Sequence, residues 1–214
     1  MKKINKRILT LLFAIGAMFI MATSAYAASK PAKPGKPVTI SAPKKNLAMV
    51  YFRKPARMNG SHYYNVRLYT PYKNTRVYNK TIKQTRTHSG FPAIVITPPS
   101  NKYCYKVRVR GHNQHGWGPF SDVGYIIPQP VDFSIVNKNT LKWKKIVGAD
   151  RGYRVYVSRS VNSGYKSYGI TRSPQFNLNQ LGYGKYYIRV QTLMTSTRGG
   201  KSSTYTQGIT RYRS

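Results

Sequence analysis

From residue 38 onward, apolar and polar residues alternate in short runs, which are separated by clusters of Gly, Asn, Ser and Pro. The stretch Tyr105–Gly111, YKVRVRG, shows the pattern most clearly, with an apolar residue at every second position and cations between them. Alternation with a period of two predicts β-strands that bury one side and expose the other. No run with a helical period interrupts the strands, so the chain is predicted to be all-β.

The predicted strands fall into two sets of seven, the strand number of a small Greek-key sandwich. The first set comprises Val38–Ser41, Leu47–Phe52, Tyr63–Tyr69, Thr75–Tyr78, Ala93–Ile96, Tyr103–Gly111 and Val123–Ile127. The second set comprises Val131–Ile135, Thr140–Lys144, Tyr153–Ser158, Tyr165–Ile170, Gln175–Leu178, Tyr186–Thr192 and Ser203–Thr206. Pro128 and Pro130 predict a short, stiff linker between them. We therefore expect one sandwich over residues 37–127 and a second over residues 130–214.

The two sets also resemble each other, as an internal repeat would. YNVRLY at residues 64–69 corresponds to YRVYVS at residues 153–158, and YKVRVRG corresponds to YYIRVQT at residues 186–192. Phe52 precedes the first of these segments in one set, and Trp143 precedes it in the other. Duplication of one module is the simplest account.

The first 27 residues have the pattern of a secretory signal peptide. A cationic start is followed by the apolar run Ile8–Ala22 and by AYA at residues 25–27, which resembles a cleavage site. The apolar run is shorter than the roughly 20 residues that a membrane-spanning helix needs. We expect cleavage before Ala28, no integral membrane span afterwards, and an extended, semi-rigid leader over the Pro- and Lys-rich residues 28–36.

Charge narrows the possible functions, because 37 Lys and Arg residues stand against three acidic residues, for a formal net charge of +34. The acids are Asp122, Asp132 and Asp150, and the chain has no glutamate. Glycoside hydrolysis needs two carboxylates at one bond and hard-cation sites need several oxygen ligands, so the composition argues against both. The predicted signal peptide favours a secreted or cell-envelope-associated protein. The excess of positive charge favours attraction to acidic partners.

A family pattern runs through the end of the first set. The spacing YxVxVxAxNxxGxGxxS is matched by Tyr105, Val107, Val109, Asn113, Gly116, Gly118 and Ser121, with Gly111 in place of the alanine. Phe52 and Pro55 stand where the same family has a tryptophan followed by proline three positions on. In these residues the chain resembles the fibronectin type III domain.

The second half resembles the form of this domain that occurs in bacterial surface proteins. Trp143 is followed by GADRGY, and Leu181, Gly184 and Tyr186 resemble the approach to the tyrosine corner of the family. The resemblance implies two tandem immunoglobulin-like β-sandwiches. It says little about function, because such modules serve as spacers, adhesins and accessory domains alike.

The histidines do not assemble into an evident catalytic or metal site. The chain has four of them, at His62, His88, His112 and His115. His112 and His115 share a loop, but Asp122 is the only carboxylate placed to orient such a base, and third and fourth metal ligands of the usual types are missing. We therefore predict a protein that is not an enzyme and that binds no metal and no cofactor.

Cys104 is the only cysteine, so an intrachain disulfide is impossible. It precedes the inward-facing Tyr105, and alternation therefore predicts an outward thiol at the start of the strand. Such a thiol could link two chains, and the alternative is a small residue near a sheet edge.

The cationic positions predict a binding surface. If the apolar residues of YKVRVRG face the core, Lys106, Arg108 and Arg110 share the solvent face of strand F, the sixth of the set. Arg67 and Tyr69 face outward on the neighbouring strand C, the third of the set. On a smaller scale, the second half repeats this arrangement with Arg154, Tyr156, Tyr187 and Arg189. Guanidinium groups pair with phosphate, sulfate or carboxylate, and rings stack on sugars or bases.

Two classes of function follow from these observations. The first is a non-catalytic adhesion module whose basic sheet face attaches to an acidic polymer of the cell envelope or its surroundings, such as teichoic acid, lipopolysaccharide, an acidic polysaccharide or extracellular DNA. The second is a structural module that contacts a surface protein through His115 and Trp117 in the loop between strands F and G, where charge only localises the protein. A basic stripe can also be a by-product of net charge, so diffuse basicity stays open.

Overall fold

The computed structural model describes residues 29–42, 46–58, 63–182, 184–196, 199–202 and 209–211. Over these ranges the chain is all-β, as predicted, and forms antiparallel sheets. The predicted signal peptide, His62 and the predicted strand Ser203–Thr206 lie outside the described residues. Within the described ranges, no helix has the length and apolarity needed to cross a membrane.

The first sandwich contains nine strands. They are β1 (Val38–Ala42), β2 (Leu47–Tyr51), β3 (Tyr63–Tyr69), β4 (Arg76–Lys83), β5 (Arg86–His88), β6 (Phe91–Ile96), β7 (Tyr105–Asn113), β8 (Gly116–Trp117) and β9 (Gly124–Ile126). One sheet has the order β1-β2-β6-β5, and the other has the order β4-β3-β7-β8, with β9 also paired to β7. Strand C is therefore β3 and strand F is β7, and this division into sheets is that of an immunoglobulin-like sandwich.

The second sandwich has the same plan. Its strands are β10 (Ser134–Val136), β11 (Thr140–Lys142), β12 (Tyr153–Ser158), β13 (Lys166–Thr171), β14 (Gln175–Asn177), β15 (Tyr186–Ser196), β16 (Gly199–Ser202) and β17 (Ile209–Arg211), with a 3-10 turn at Leu178–Gln180. The sheet orders are β10-β11-β14 and β13-β12-β15-β16, with β17 also paired to β15. The segments with similar sequence thus occupy equivalent strands, β3 with β12 and β7 with β15.

Each sandwich encloses its own apolar cluster, because alternation directs every second side chain inward. Val107 and Val109 of β7 are fully buried, and Ile188 and Val190 of β15 take the equivalent places in the second cluster. An aromatic pair crosses each core at the same point. The ring centroids of Phe52 and Tyr64 are 4.9 Å apart in an edge-on arrangement, and those of Trp143 and Tyr153 are 5.3 Å apart in the same arrangement. Edge-on rings add specificity to burial.

The strand predictions differ from the structure mainly at exposed edges. The predicted strand Thr75–Tyr78 is in fact β4, which continues to Lys83, and β5 was not predicted at all. Most residues of both strands are exposed. Because neither strand buries a full side, neither has the apolar alternation that identifies a strand in a sequence.

Residues 29–37 lie along the first sandwich as a docked segment, which we call the strap. The backbone N–H of Ala32 donates to the carbonyl of Ala56 at 3.1 Å, and that of Gly35 donates to the carbonyl of Arg53 at 3.1 Å. Gly35 passes so close that a Cβ added to it would stand 2.7 Å from the Cβ of Arg53. The region predicted as a leader is therefore part of the folded module.

A two-way backbone contact joins the sandwiches beside the Pro128–Pro130 linker. Val147 accepts a hydrogen bond from the N–H of Cys104 at 2.8 Å and donates its own N–H to the carbonyl of Lys102 at 2.7 Å. These bonds form a short parallel bridge between Tyr103 and Val147. The connection between the modules therefore includes hydrogen bonds between the sandwiches as well as the linker itself.

The prediction of an outward thiol at Cys104 is wrong, because this residue is fully buried and belongs to the apolar cluster of the second sandwich. Strand β7 begins only at Tyr105, so alternation does not extend to its neighbour. The turn at Gly148 covers the thiol, since a Cβ added there would lie 2.8 Å from the Cβ of Cys104. Burial, with a smaller contribution from the charge of Asp150, raises the pKa of Cys104 to about 12.

Cys104 should therefore resist Ellman's reagent in the native protein, because the thiolate is the reacting species and a pKa near 12 leaves little of it at pH 8. We expect slow release of the coloured product in native buffer and release of one equivalent per chain within the mixing time in guanidinium chloride. A Cys104→Ala variant supplies the blank. Full labelling of the native protein at the denatured rate would show that the thiol is open to solvent.

Candidate anion-binding face

The outer face of the β3–β7 pair is cationic because the register places the predicted residues in adjacent rows. Tyr69 lies opposite Lys106, Arg67 lies opposite Arg108, and Asn65 lies opposite Arg110. We call these six residues the basic face. Like charges directly across a strand pair oppose folding, so the Arg67 and Arg108 row concentrates positive charge at a cost in stability. The structure thus brings the first five predicted residues together on one surface.

Two aromatic rings cover part of this face. The guanidinium carbons of Arg67 and Arg110 lie 4.4 Å and 4.7 Å from the centroid of the Phe120 ring. Arg110 also lies 4.8 Å from the centroid of the Trp117 ring, which contacts the ring of His112 at 4.6 Å. Stacking on a ring holds a guanidinium plane in one orientation and stabilises its charge. The two arginines are therefore presented as fixed planes.

The rings reach the face because the chain returns along β7 after a tight hairpin. Gly116 has a φ of +106°, which a residue with a side chain rarely adopts. Ser121 then fastens the returning segment, since its N–H donates to the carbonyl of Val109 at 2.7 Å and its hydroxyl accepts from the N–H of Val109 at 3.0 Å. These bonds position Phe120, the residue before Ser121, beside the arginines.

Within the described ranges no ion pair joins a carboxylate to the basic face, because the three aspartates have other partners. Asp122 pairs with Lys33 at 2.7 Å and Asp132 pairs with Lys144 at 3.2 Å. Asp150 accepts a hydrogen bond from the backbone N–H of Thr195 at 2.6 Å. The arginines that stack on Phe120 therefore form no ion pair within the described residues, and their charges act on each other.

Arg110 shows the consequence most directly. Its Nε is buried and has no hydrogen-bond partner in the part of the chain that the structure describes. Burial lowers the pKa of Arg110, and the positive charge of Arg67 lowers it further. Arginine nevertheless stays protonated in proteins, so the face holds an under-satisfied cation. An anion placed between the two arginines would supply the missing countercharge.

Side-chain amide oxygens accept hydrogen bonds from Arg67 and Lys106 of the basic face. Asn79 on β4 accepts from Nε of Arg67 at 3.2 Å and from the amide of Asn65 at 2.9 Å. Asn74 accepts from Nζ of Lys106 at 2.7 Å. Amides can orient these groups without cancelling their charge, so the face stays positive.

The predicted residues of the second sandwich are also brought together, but their groups are engaged within the module. Tyr156 lies opposite Arg189 on the β12–β15 pair and donates its hydroxyl to Gln191 at 3.2 Å. The guanidinium of Arg189 stacks on the ring of Tyr165 at 3.7 Å and donates to the carbonyl of Val161 at 3.2 Å. Arg154 is half-buried and lies opposite Gln191 on the same strand pair, and Tyr187 lies opposite Ser158.

The loop residues lie closer to the sandwich than their place in the sequence suggests. Trp117 is half-buried in β8 against Arg110 and His112. His115 is also half-buried, and its backbone N–H donates to the side-chain oxygen of Asn113 at 2.9 Å. In the part of the chain that the structure describes, no three His, Cys, Asp or Glu side chains form a group that could hold a metal ion.

Sequence reasoning missed Phe120, the ring on which Arg67 and Arg110 meet. Its position between Gly118 and Ser121 was a usable signal, since these residues belong to the fibronectin-like pattern that returns the chain along strand F. Asn79 was missed because β4 extends beyond its predicted end. The structure shows that Phe120 and Asn79 both contact residues of the basic face.

No protein-family model matches the chain, and no curated protein matches it. Among solved structures, the chain is similar to the FN1–FN3 domains of chicken CNTN1, with 16% sequence identity and a TM-score of 0.37. That alignment covers 87% of this chain and 69% of the other.

A double-mutant cycle should detect the stacking of Arg110 on Phe120. Chemical unfolding of Phe120→Leu, Arg110→Gln and the double variant should give a coupling energy of about 0.5–1 kcal/mol, the usual strength of a partly exposed cation–π pair. Arg108→Gln is the matched control, because Arg108 is exposed and is expected to couple to Phe120 by less than about 0.3 kcal/mol. Equal coupling in the two cycles would contradict the stacked arrangement.

Proposed function

We propose that this protein is an exported, non-catalytic binding module that attaches to an acidic polymer through the basic face. The predicted signal peptide supports export, and the net charge of +34 supports attraction to polyanions. Teichoic acid, lipopolysaccharide, an acidic polysaccharide and extracellular DNA have the required charge. Attachment to such a polymer would retain the protein in the cell envelope or its surroundings.

The arginine pair on Phe120 is the observation that carries this proposal. Arg67 and Arg110 share one ring, and among the described residues Nε of Arg110 has no hydrogen-bond partner. A structural role alone would be served as well by neutral side chains. A phosphate, sulfate or carboxylate group would pair with both guanidiniums in the geometry that arginine favours.

The same stacking favours recognition of charge over stacking on sugars or bases. Phe120 and Trp117 already have guanidinium groups as ring partners. Single-stranded nucleic acid is usually bound by free aromatic rings on which successive bases stack. Polymers with closely spaced anionic groups therefore suit this face better than a ligand that is read through its bases.

The second candidate is a protein-interaction module that uses the loop between strands F and G. Packing of Trp117 against Arg110 and His112 weighs against it, because an interface anchor normally offers its ring to a pocket on the partner. The two candidates differ in their expected response to salt. Neutralisation of a polyanion weakens steeply as salt rises, whereas an apolar loop contact does not.

Binding of the mature chain to immobilised teichoic acid, DNA and a neutral glycan across a salt series tests the proposal. We expect steep salt dependence with the acidic polymers only. Replacement of Arg67, Arg108 and Arg110 by glutamine should reduce the slope of log K against log salt by about 2, since each phosphate contact on a flexible chain contributes roughly 0.7.

A charge-matched control separates a specific face from diffuse basicity. Replacement of Lys142, Lys145 and Lys166 by glutamine removes the same charge from exposed positions of the second sandwich. Thermal unfolding of both triple variants verifies that they fold. Equal losses in the two variants would exclude the basic face as the site, and failure of every acidic polymer to bind would favour a protein partner.

A further inference from the structure

The strap has a repeating sequence whose lysines do not belong to the basic face. Residues 30–37 read KPAKPGKP, a lysine and a proline in every three residues. Pro31, Pro34 and Pro37 are buried against the first sandwich. Lys30, Lys33 and Lys36 are exposed. A burial period of three is that of a polyproline II helix, so the prolines form one side of the strap and the lysines form another.

Hydrogen bonds hold the strap at regular points, so the lysines are presented in a row. The bonds from Ala32 to Ala56 and from Gly35 to Arg53 are three residues apart on the strap. The side-chain amide of Asn113 also donates to the carbonyl of Ser29 at 2.9 Å. A rise of about 3.1 Å per residue separates successive lysines by about 9 Å along the strap. The row is thus prearranged before any ligand binds.

The strap, which carries the lysine row, packs against the segment that follows β7. A Cβ added to Gly118 would stand 2.3 Å from the carbonyl oxygen of Pro31, and one added to Gly124 would stand 2.4 Å from that of Pro37. The strap therefore packs on the segment that returns along β7, at the edge of the same sheet.

Asp122 interacts with cations of both the lysine row and the basic face. Hydrogen bonding and charge from Lys33 hold the pKa of Asp122 below its ordinary value, with smaller contributions from Lys36 and Arg108. One carboxylate thus feels both the strap and β7.

From this arrangement we infer that Lys30, Lys33 and Lys36 form a track that binds a linear, base-free phosphodiester polymer, continuous with the basic face. Asp122 is the internal counter-anion of the track, and a phosphate of the polymer takes over its pairing with Lys33. Three ammonium groups at equal spacing match a chain of repeating anions better than one compact anion. This inference rests on the proposed function and names the polymer class and the additional residues that bind it.

Poly(glycerol phosphate) of defined length is the probe for the track. We expect Lys30→Gln together with Lys36→Gln to reduce the slope of log K against log salt by about 1.4, at roughly 0.7 for each phosphate contact. The matched control is Lys142→Gln with Lys145→Gln, which removes equal charge from exposed positions of the second sandwich and should leave the slope nearly unchanged.

The counter-anion can be tested by the opposite change. Asp122→Asn should raise the affinity for poly(glycerol phosphate) with little change in slope, because the phosphate no longer has to displace a carboxylate from Lys33. Asp132→Asn is its matched control, since it frees Lys144 from the corresponding ion pair on the second sandwich and adds the same charge. We expect a smaller increase in affinity with that variant. Equal increases in the two variants would overturn the assigned role of Asp122.

Parallel measurement of the basic-face variant distinguishes failure of the track from failure of the proposed function. If the arginine variant loses binding while the Lys30 and Lys36 variant behaves like its control, the track is wrong and the basic face stands. If neither differs from its control, both proposals fail. Tighter binding of oligo(dT) than of poly(glycerol phosphate) at equal phosphate number would overturn the choice of a base-free polymer. Thermal unfolding checks that each variant folds. If Asp122→Asn does not fold, the variant with Lys30→Gln and Lys36→Gln tests the track alone.

Discussion

A shortage of carboxylates constrains this whole structure. With 37 cations and three acidic residues, the protein cannot neutralise its surface through ion pairs. Aromatic rings and amide oxygens take over part of that role, as when Arg67 and Arg110 share Phe120 and Arg189 lies over Tyr165. These partners orient a cation and leave its charge intact. The protein therefore has ordered cations with an outward electrostatic field, which ion-paired cations would largely lose.

The fold was predictable where a strand buries one side. In β7 the alternation of apolar and cationic residues is nearly complete, since a buried cation without a partner would destabilise the sheet by several kcal/mol. The same requirement identifies β3, β12 and β15. At β4 and β5 both sides of the strand are largely exposed, so polar residues are tolerated everywhere and the pattern disappears. Those strands are defined by pairing with their neighbours, which a periodicity does not encode.

The candidate site was predictable only in part, because sequence alternation assigns a side to a residue but not its neighbours. It placed Arg67 and Arg110 on one surface. It did not bring Phe120 to them, since that contact depends on the hairpin at Gly116 and on the bonds of Ser121. Cys104 is the opposite case, in which contact with a second module overrides the local pattern. The strap was predicted to be a leader because it is rich in proline and lysine and has no apolar period. Its burial depends on a surface that lies elsewhere in the chain.

The ion pair between Asp122 and Lys33 affects how the charge of this carboxylate responds to pH. Lysine and arginine lose their protons only far above neutral pH, and histidines can only add charge as the medium becomes acidic. Asp122, the carboxylate nearest the basic face, is held ionised by Lys33 to a lower pH than an isolated aspartate. This carboxylate thus keeps its charge in mildly acidic surroundings. Loss of attachment in mild acid would accordingly report protonation of the polymer, so the titration curve of binding becomes a signature of the ligand.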